Sequence, residues 1–454
     1  RRFGGVPYID HSLGPDDEWD LTRLSNWETY QKCAEDFYTA YTYLERAGWM
    51  RRDGLPGESG HLTSPTAEYP SGISALAFRA RALVYAASPL SNQNGIKDWE
   101  QAAEACRDAL KACEEWKFSL VPFSLYSTLF LAAGETEETI WGHSLKCKDN
   151  NNYCRGLLTY PQSYKAGASG VCPTQNFVDL YETRWGDPLD TEEARAYAES
   201  IGHYNPQDPY SNLDPRFEEV IVHDGSKNKF VTGTINIYKS TTGKWPVTYI
   251  SGTTAQFGVE WGTTDQESNG YSVTGYYCKK YWEGQRGDKG VSHGHMDNLF
   301  RLAEVYLNYA EAVNEAYGPT GKAPGCDLSA LDAVNIIRTR AGMPDVQDRF
   351  TGSRDALRAR IQNERMVEFA FEGAHYYYDI RRWKTAPQRM GNKMYGMYVT
   401  KVTKNSTYPN GRMYERRLLP ETRQCTWKDS MYYFPFAQEQ VQTMFNFKNN
   451  ELWH

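Results

Sequence analysis

Hydrophobic residues fall at helical spacing in the first third of the chain. Trp27, Tyr30, Ala34, Phe37, Tyr41 and Leu44 trace one face, and Ser25-Asn26-Trp27-Glu28 ahead of them has capping-box spacing. A loop through Gly54, Pro56, Gly57 and Gly60 follows. The stretch SALAFRARALVYAASP then predicts a helix over Ile73–Ala87 that small residues let approach its neighbours closely and that Pro89 stops. Asp98-Trp99-Glu100-Gln101 has the form of a second capping box, leading Ala102, Cys106, Ala109, Leu110 and Cys113 along a seam.

From Thr136 to Met296 the texture changes to Gly, Pro, Asn and aromatics, and helical periodicity fades. Phe230–Tyr238 and Pro246–Ile250 alternate as short strands do. A block this long inside a compact domain must fold as loops and small sheets on a scaffold. Periodicity returns with Leu299, Leu302, Tyr306, Ala310 and Val313, and then with Leu331, Val334 and Ile337, ending at Gly342 and Pro344. A third helix is expected from about Ser353 to Gly373. The pattern predicts a mainly α fold of helical pairs of tetratricopeptide type, with a loop-rich region containing short strands. Its parts are a first helical scaffold at 20–135, a loop-rich face at 136–296, a second helical scaffold at 297–390 and an irregular C-terminal segment at 391–454.

Residues 363–383, NERMVEFAFEGAHYYYDIRRW, carry Glu364, Glu368 and Glu372 at four-residue steps. Met366, Val367, Ala370, Phe371 and Ala374 mark the face expected to be buried. Like charges about 5–6 Å apart repel unless something answers them. Either two carboxylates do acid–base work, or arginines clamp the row into a network, and the second reading is preferred because a catalytic pair also needs a cleft. Arg358, Arg360 and Arg365 are local partners, and Arg338, Arg340, Arg381 and Arg382 could reach from neighbouring elements.

This stretch resembles the signature helix of the SusD/RagB family. AEVYLNYAEAVNEA at 303–316, IIRTRAGMP at 336–344, MYYFPFAQEQVQTMFNF at 431–447, NLDPRF at 212–217, PTQNFVDLYET at 173–183 and the opening RRFGGVPYID are also similar to it, in the family's order. The resemblance implies a non-enzymatic, outward-facing outer-membrane lipoprotein of Bacteroidota. Such a protein sits as a lid over a SusC-type TonB-dependent transporter and delivers an oligosaccharide or, in the RagB branch, a peptide. It also implies a signal peptide, a lipid-bearing cysteine and first helices ahead of residue 1, so the chain reads as a mature or truncated product whose membrane anchor is inferred. A glycan-processing enzyme on the same scaffold is the alternative, and it would need two carboxylates about 5–9.5 Å apart across a cleft.

Composition narrows the chemistry. The formal net charge of -7 opposes nucleic acid as a partner. The nine cysteines include no C-x-x-C pair, and no Walker, H-E-x-x-H, G-x-S-x-G or G-x-G-x-x-G pattern occurs. His293-Gly294-His295 lacks a third ligand nearby and reads as loop, Asp187/Asp190 and Asp16-Asp17-Glu18 lack calcium-loop spacing, and Asn405-Ser406-Thr407 reads as a turn. No metal or cofactor is expected. Aromatics make up 14% of the chain, with 33 Tyr and 13 Trp. Trp245, Trp261, Tyr271, Tyr281 and Trp282 stand among Gly, Ser, Thr and Asn in the loop-rich block. A sugar stacks its C–H face on such rings while its hydroxyls take polar partners, so these five are the candidate ligand-binding residues, with Trp49, Tyr160 and Tyr164 secondary. Peptide capture would use rings too, with backbone pairing along a strand.

Overall fold

The computed structural model describes residues 1–51, 67–132, 134–147, 171–227, 235, 237–238, 272–281 and 293–453. Its long helices are α1 (Asn26–Arg46), α2 (Gly72–Ala87), α3 (Ile96–Glu115), α4 (Glu192–Ser200), α5 (Leu302–Tyr317), α6 (Ala330–Arg340), α7 (Arg354–Glu368) and α8 (His375–Arg382). The mainly helical class is as the periodicity predicts. α1 packs on α2, α2 on α3 and α3 on α5, and α5 in turn meets α6 and α7.

The capping box at Ser25 and Glu28 forms in both directions. The second expected box does not. α3 starts three residues earlier, behind Gly95 at φ 63, a left-handed backbone suited to glycine. Asp98, in the first turn, reaches back to the amides of Gln93 and Asn94 (3.0 Å each) and takes the indole N–H of Trp27 (3.0 Å). The aspartate therefore ties α1 to α3 as well as closing the loop.

Among the described residues, two hydrophobic clusters form the interior. In the first, alanines of α2, α3 and α5 interlock with Leu76, Leu83, Val305, Leu307 and Ile337. Cys106 and Cys113 lie in this seam as buried thiols, and burial pushes Cys113 up to about 12. The second cluster is richer in rings: Tyr126, Phe130, Tyr181, Phe217, Tyr276, Tyr281 and Trp383.

Among the described residues, three antiparallel two-stranded ribbons are attached to the helices. β1 (Thr139–Cys147) pairs with β4 (His293–Arg301), from Thr139 opposite Arg301 to Cys147 opposite His293. β2 (Ile221–Val222) pairs with β3 (Tyr277–Cys278), and β5 (Tyr395–Lys401) with β6 (Arg412–Leu418). Two local expectations change here. His293-Gly294-His295 lies in strand β4, not in a loop, because the β1 backbone pairs with it residue for residue. Leu299 belongs to the same strand and is 42% exposed, so the helical face begins at Leu302. The proposed strands Phe230–Tyr238 and Pro246–Ile250 lie almost entirely outside the described residues; Ile235, Ile237 and Tyr238 are described and are not in strands. Asn405 caps its own turn, accepting from the amides of Thr407 and Tyr408 at 2.9 Å.

Candidate functional site

The glutamate row sits inside the protein. α7 stops at Glu368 rather than Gly373, and the chain turns through Phe371 (φ 62), Gly373 (φ 47) and Ala374 (φ 59) before α8. This turn rotates the expected faces. Met366, Val367 and Ala370 are buried as expected, but Ala374 is exposed and Phe371 only half-buried. Glu364, Glu368 and Glu372 are 1%, 0% and 6% exposed, so the acidic stripe points inward.

What permits this is a matched lattice. Arg216 binds Glu364 (2.5 Å), Glu368 (2.9 Å) and Asp214 (2.7 Å). Arg301 binds Glu138 (2.6 Å), Glu368 (2.7 Å) and Glu372 (2.9 Å). Arg340 reaches Glu138 and Glu368, Arg338 reaches Glu182 and Glu364, and Arg360 reaches Glu182. Lys280 closes the set on Glu372 at 2.6 Å. Six cations, five of them buried and Arg340 with its side chain 5% exposed, thus meet six buried carboxylates, which removes the large penalty of an unpaired interior charge. Burial alone would raise the Glu368 pKa, yet the guanidinium groups of Arg340, Arg301 and Arg216 hold it well below the carboxylate range. Burial pulls the Lys280 ammonium down against the pull of Glu372. Of the expected partners, Arg338 and Arg340 do bind the row. Arg358 instead pairs with Glu315 and Asp355, and Arg365 and Arg382 share Asp379 and Glu311 in a second lattice across α7. Arg381 lies over Tyr377 at 3.4 Å. Arg216, Lys280 and Arg301 were not among the expected partners, because they come from segments distant in sequence.

This lattice fixes the roots of the ring-rich block. Lys280, two residues past β3, and Arg301, the last residue of β4, meet on the one carboxylate of Glu372. Lys280 thus fixes the chain just ahead of Trp282, whereas the chain is described again from His293, at the opposite end of β4 from Arg301. Tyr281 stands beside Lys280, 7% exposed, with its ring edge-on to Phe130 (5.9 Å) and its hydroxyl donating to the Phe371 carbonyl (3.3 Å). That bond also supports the left-handed turn, whose non-glycine residues each cost about 1–3 kcal/mol. The roots of residues 239–271 are fixed as well. The Ile237 amide donates to Asp224 (2.7 Å), Arg412 lies over the Tyr238 ring (4.4 Å), and the Ser272 amide donates to the Tyr277 hydroxyl (3.0 Å). Trp245, Trp261, Tyr271 and Trp282 lie outside the described residues, as do Tyr160 and Tyr164. Trp49, just past α1, is 49% exposed.

Asp187 is a hydrogen-bonded loop carboxylate, 3% exposed in its side chain. It receives the Thr183 hydroxyl (2.9 Å), Gln347 (3.1 Å), Arg349 (2.8 Å) and a ring nitrogen of His203 (2.7 Å). Among the described residues no group of three His, Cys, Asp or Glu is placed to hold a metal ion, and no helix is long and apolar enough to cross a membrane.

Residues 137–453 match the family model described as the SusD family. The chain belongs to the SusD family. A SusD-like protein of Formosa agariphila is 33% identical over 117 residues, 25% of this chain and 20% of that protein. The chain thus matches about a fifth of that relative's length. In the fold, a SusD-like protein of Bacteroides fragilis superposes over 100% of this chain and 76% of its own, at 24% identity and TM-score 0.70. A second Bacteroides fragilis protein, described as a SusD-like carbohydrate binding protein, covers 98% of this chain and 76% of its own, at 22% identity and TM-score 0.64.

Proposed function

We propose that this chain is a cell-surface nutrient-binding protein that captures oligosaccharides and passes them, chemically unchanged, to a SusC-type TonB-dependent transporter in the outer membrane. Trp245, Trp261, Tyr271 and Trp282 supply the stacking surface, and Tyr281 roots it in the core. The observation that carries this reading is the anchored exit of the ring-rich block. The buried carboxylate of Glu372 holds Lys280 and the Phe371 carbonyl holds the Tyr281 hydroxyl, so the backbone leading into Trp282 is fixed before a ligand arrives. The carbohydrate-binding description of a structural relative agrees with it. Glu364, Glu368 and Glu372 serve the scaffold rather than acid–base chemistry, since each is sealed from solvent and held by cations.

Calorimetry against a panel of oligosaccharides and peptides tests the reading. Binding of at least one oligosaccharide, weakened about tenfold or more in Trp245→Ala or Trp261→Ala, is the expected result. Binding of peptides alone would replace the sugar by a peptide ligand. New reducing ends accumulating over repeated turnovers would replace the binding protein by an enzyme.

A further inference from the structure

One part of the surface is more highly organised than a loop needs to be. Trp185 is 39% exposed although its ring is large and apolar. It is stacked on His203, with ring centres 4.2 Å apart and planes 19° from parallel. His203 is itself held by Asp187, and the Trp185 carbonyl accepts from Gln347 at 2.7 Å. The same Asp187 holds Arg349, whose guanidinium lies 4.6 Å from the ring centre of Tyr197, and Tyr197 is 47% exposed. One buried carboxylate therefore fixes the supports of two exposed aromatic rings drawn from separate segments, the loop after Thr183 and α4.

Ordering exposed rings in this way costs side-chain freedom and gives back little apolar burial, so folding alone does not call for it. It suits a flat ligand face that arrives later. Charge narrows the ligand. The Arg349 charge is answered by Asp187. The guanidinium of Arg184 lies 5.8 Å from the Trp185 ring centre, and no carboxylate pairs with it among the described residues. The platform thus offers an uncompensated cation beside an indole, on a chain whose net charge is -7.

We propose that Trp185, Tyr197 and Arg184 form a second saccharide site, apart from the ring-rich block, for a pyranose ring bearing a carboxylate or sulfate. The sugar's C–H face lies on the indole, and Arg184 meets the acidic group with a charge-assisted hydrogen bond. The inference rests on the reading of the chain as a glycan-binding protein, and the test separates the two. Calorimetry of the full chain would use a galacturonic acid tetramer, a sulfated galactan tetramer and neutral maltotetraose. At least one acidic tetramer should bind more tightly than the neutral one. Trp185→Ala should weaken that binding about tenfold or more, and Trp261→Ala should leave it in place. Arg184→Gln, a change at an exposed position, should weaken binding of the acidic tetramer about tenfold or more, to that of neutral maltotetraose; it decides the matter if Trp185→Ala melts early. Wild-type affinity for the acidic tetramers in Arg184→Gln and in a folded Trp185→Ala overturns the second site alone. Binding of neither acidic tetramer by the wild type overturns it as well, whereas binding of no glycan at all overturns the proposed function with it.

Discussion

Around α2, α3 and α5 the interior is largely alanine, and under α7 it is charge. Ala77, Ala102, Ala103, Ala109, Ala310 and Ala312 are all 0% exposed, so the helix backbones meet across short side chains. On the other side of the scaffold, Glu368 is equally sealed but has three guanidinium groups around it. The alanine seam holds by shape and apolar burial, between the successive helices α2 and α3 and from α3 onto α5 far along the chain. The charged lattice holds by pairing and is long-range, joining Glu138, Arg216, Lys280 and Arg301 to α6 and α7. The difference teaches where each device belongs. A seam of small residues assembles a scaffold, whereas a lattice of specific pairs fixes how irregular segments enter it. Such pairing is a hypothesis about specificity more than about net stability, since buried ion pairs often do no better than well-packed apolar substitutes.

The comparison breaks most visibly at Glu368. Glu368→Ala leaves Arg216, Arg301 and Arg340 facing a gap and should cost about 3–5 kcal/mol in denaturant unfolding. A loss below about 1 kcal/mol would mean the lattice is not what holds this region. Removing Glu368 and Arg340 together, as Glu368→Leu with Arg340→Met, should restore a measurable part of that loss, and strictly additive losses would count against direct coupling.

On the alanine side, Ala310→Leu forces extra volume between packed helices and should cost about 1–3 kcal/mol by the same melts. The positions of charged residues should not change the outcome there, so salt should leave this loss unaltered.

A smaller effect separates the second lattice from both. Burial lowers the His375 pKa from 6.5 to about 4, so the ring is neutral in the fold and protonated in the unfolded chain between those values. The unfolded state binds the extra proton, so stability falls as pH falls from 6.5 toward 4, by about 1–2 kcal/mol at pH 5. His375→Phe, which keeps a ring against Phe369, should flatten the melting temperature between pH 7 and pH 5. Below pH 4.5 the fall should steepen. Burial works against the Glu304 carboxylate, but the Arg81 guanidinium holds it down to about 2, and that contribution is lost as pH approaches that value. The smallest effect is expected at the surface pair Lys32–Glu35, 2.8 Å apart and well exposed, where Glu35→Gln should leave the melting temperature unchanged.

Legibility followed the range of the interactions. The Ser25–Glu28 capping box, the alanine helix over 72–87 and the Asn405 turn were readable because each is decided within a few residues. The acidic row was readable as a salt-bridge network, since three close carboxylates require cations. Its partners were only half readable: Arg338 and Arg340 lie on a helix with visible period, but Arg216 and Arg301 are 148 and 67 residues away from the carboxylates they bind. The break at Phe371–Ala374 was hidden because helical periodicity runs straight through it. The Trp185 platform was missed because its supports, His203 and Arg349, come from other segments, leaving a lone Trp-Gly pair as the only local trace.

By itself the sequence determined the helical class, the alanine seam and the need for countercharges, because propensity, capping and repulsion act between neighbours along the chain. Tertiary structure alone decided which cation meets which carboxylate, which way the acidic row faces and which rings share one buried aspartate. Those depend on segments far apart in the chain meeting at hydrogen-bonding distance, and no local pattern records that meeting.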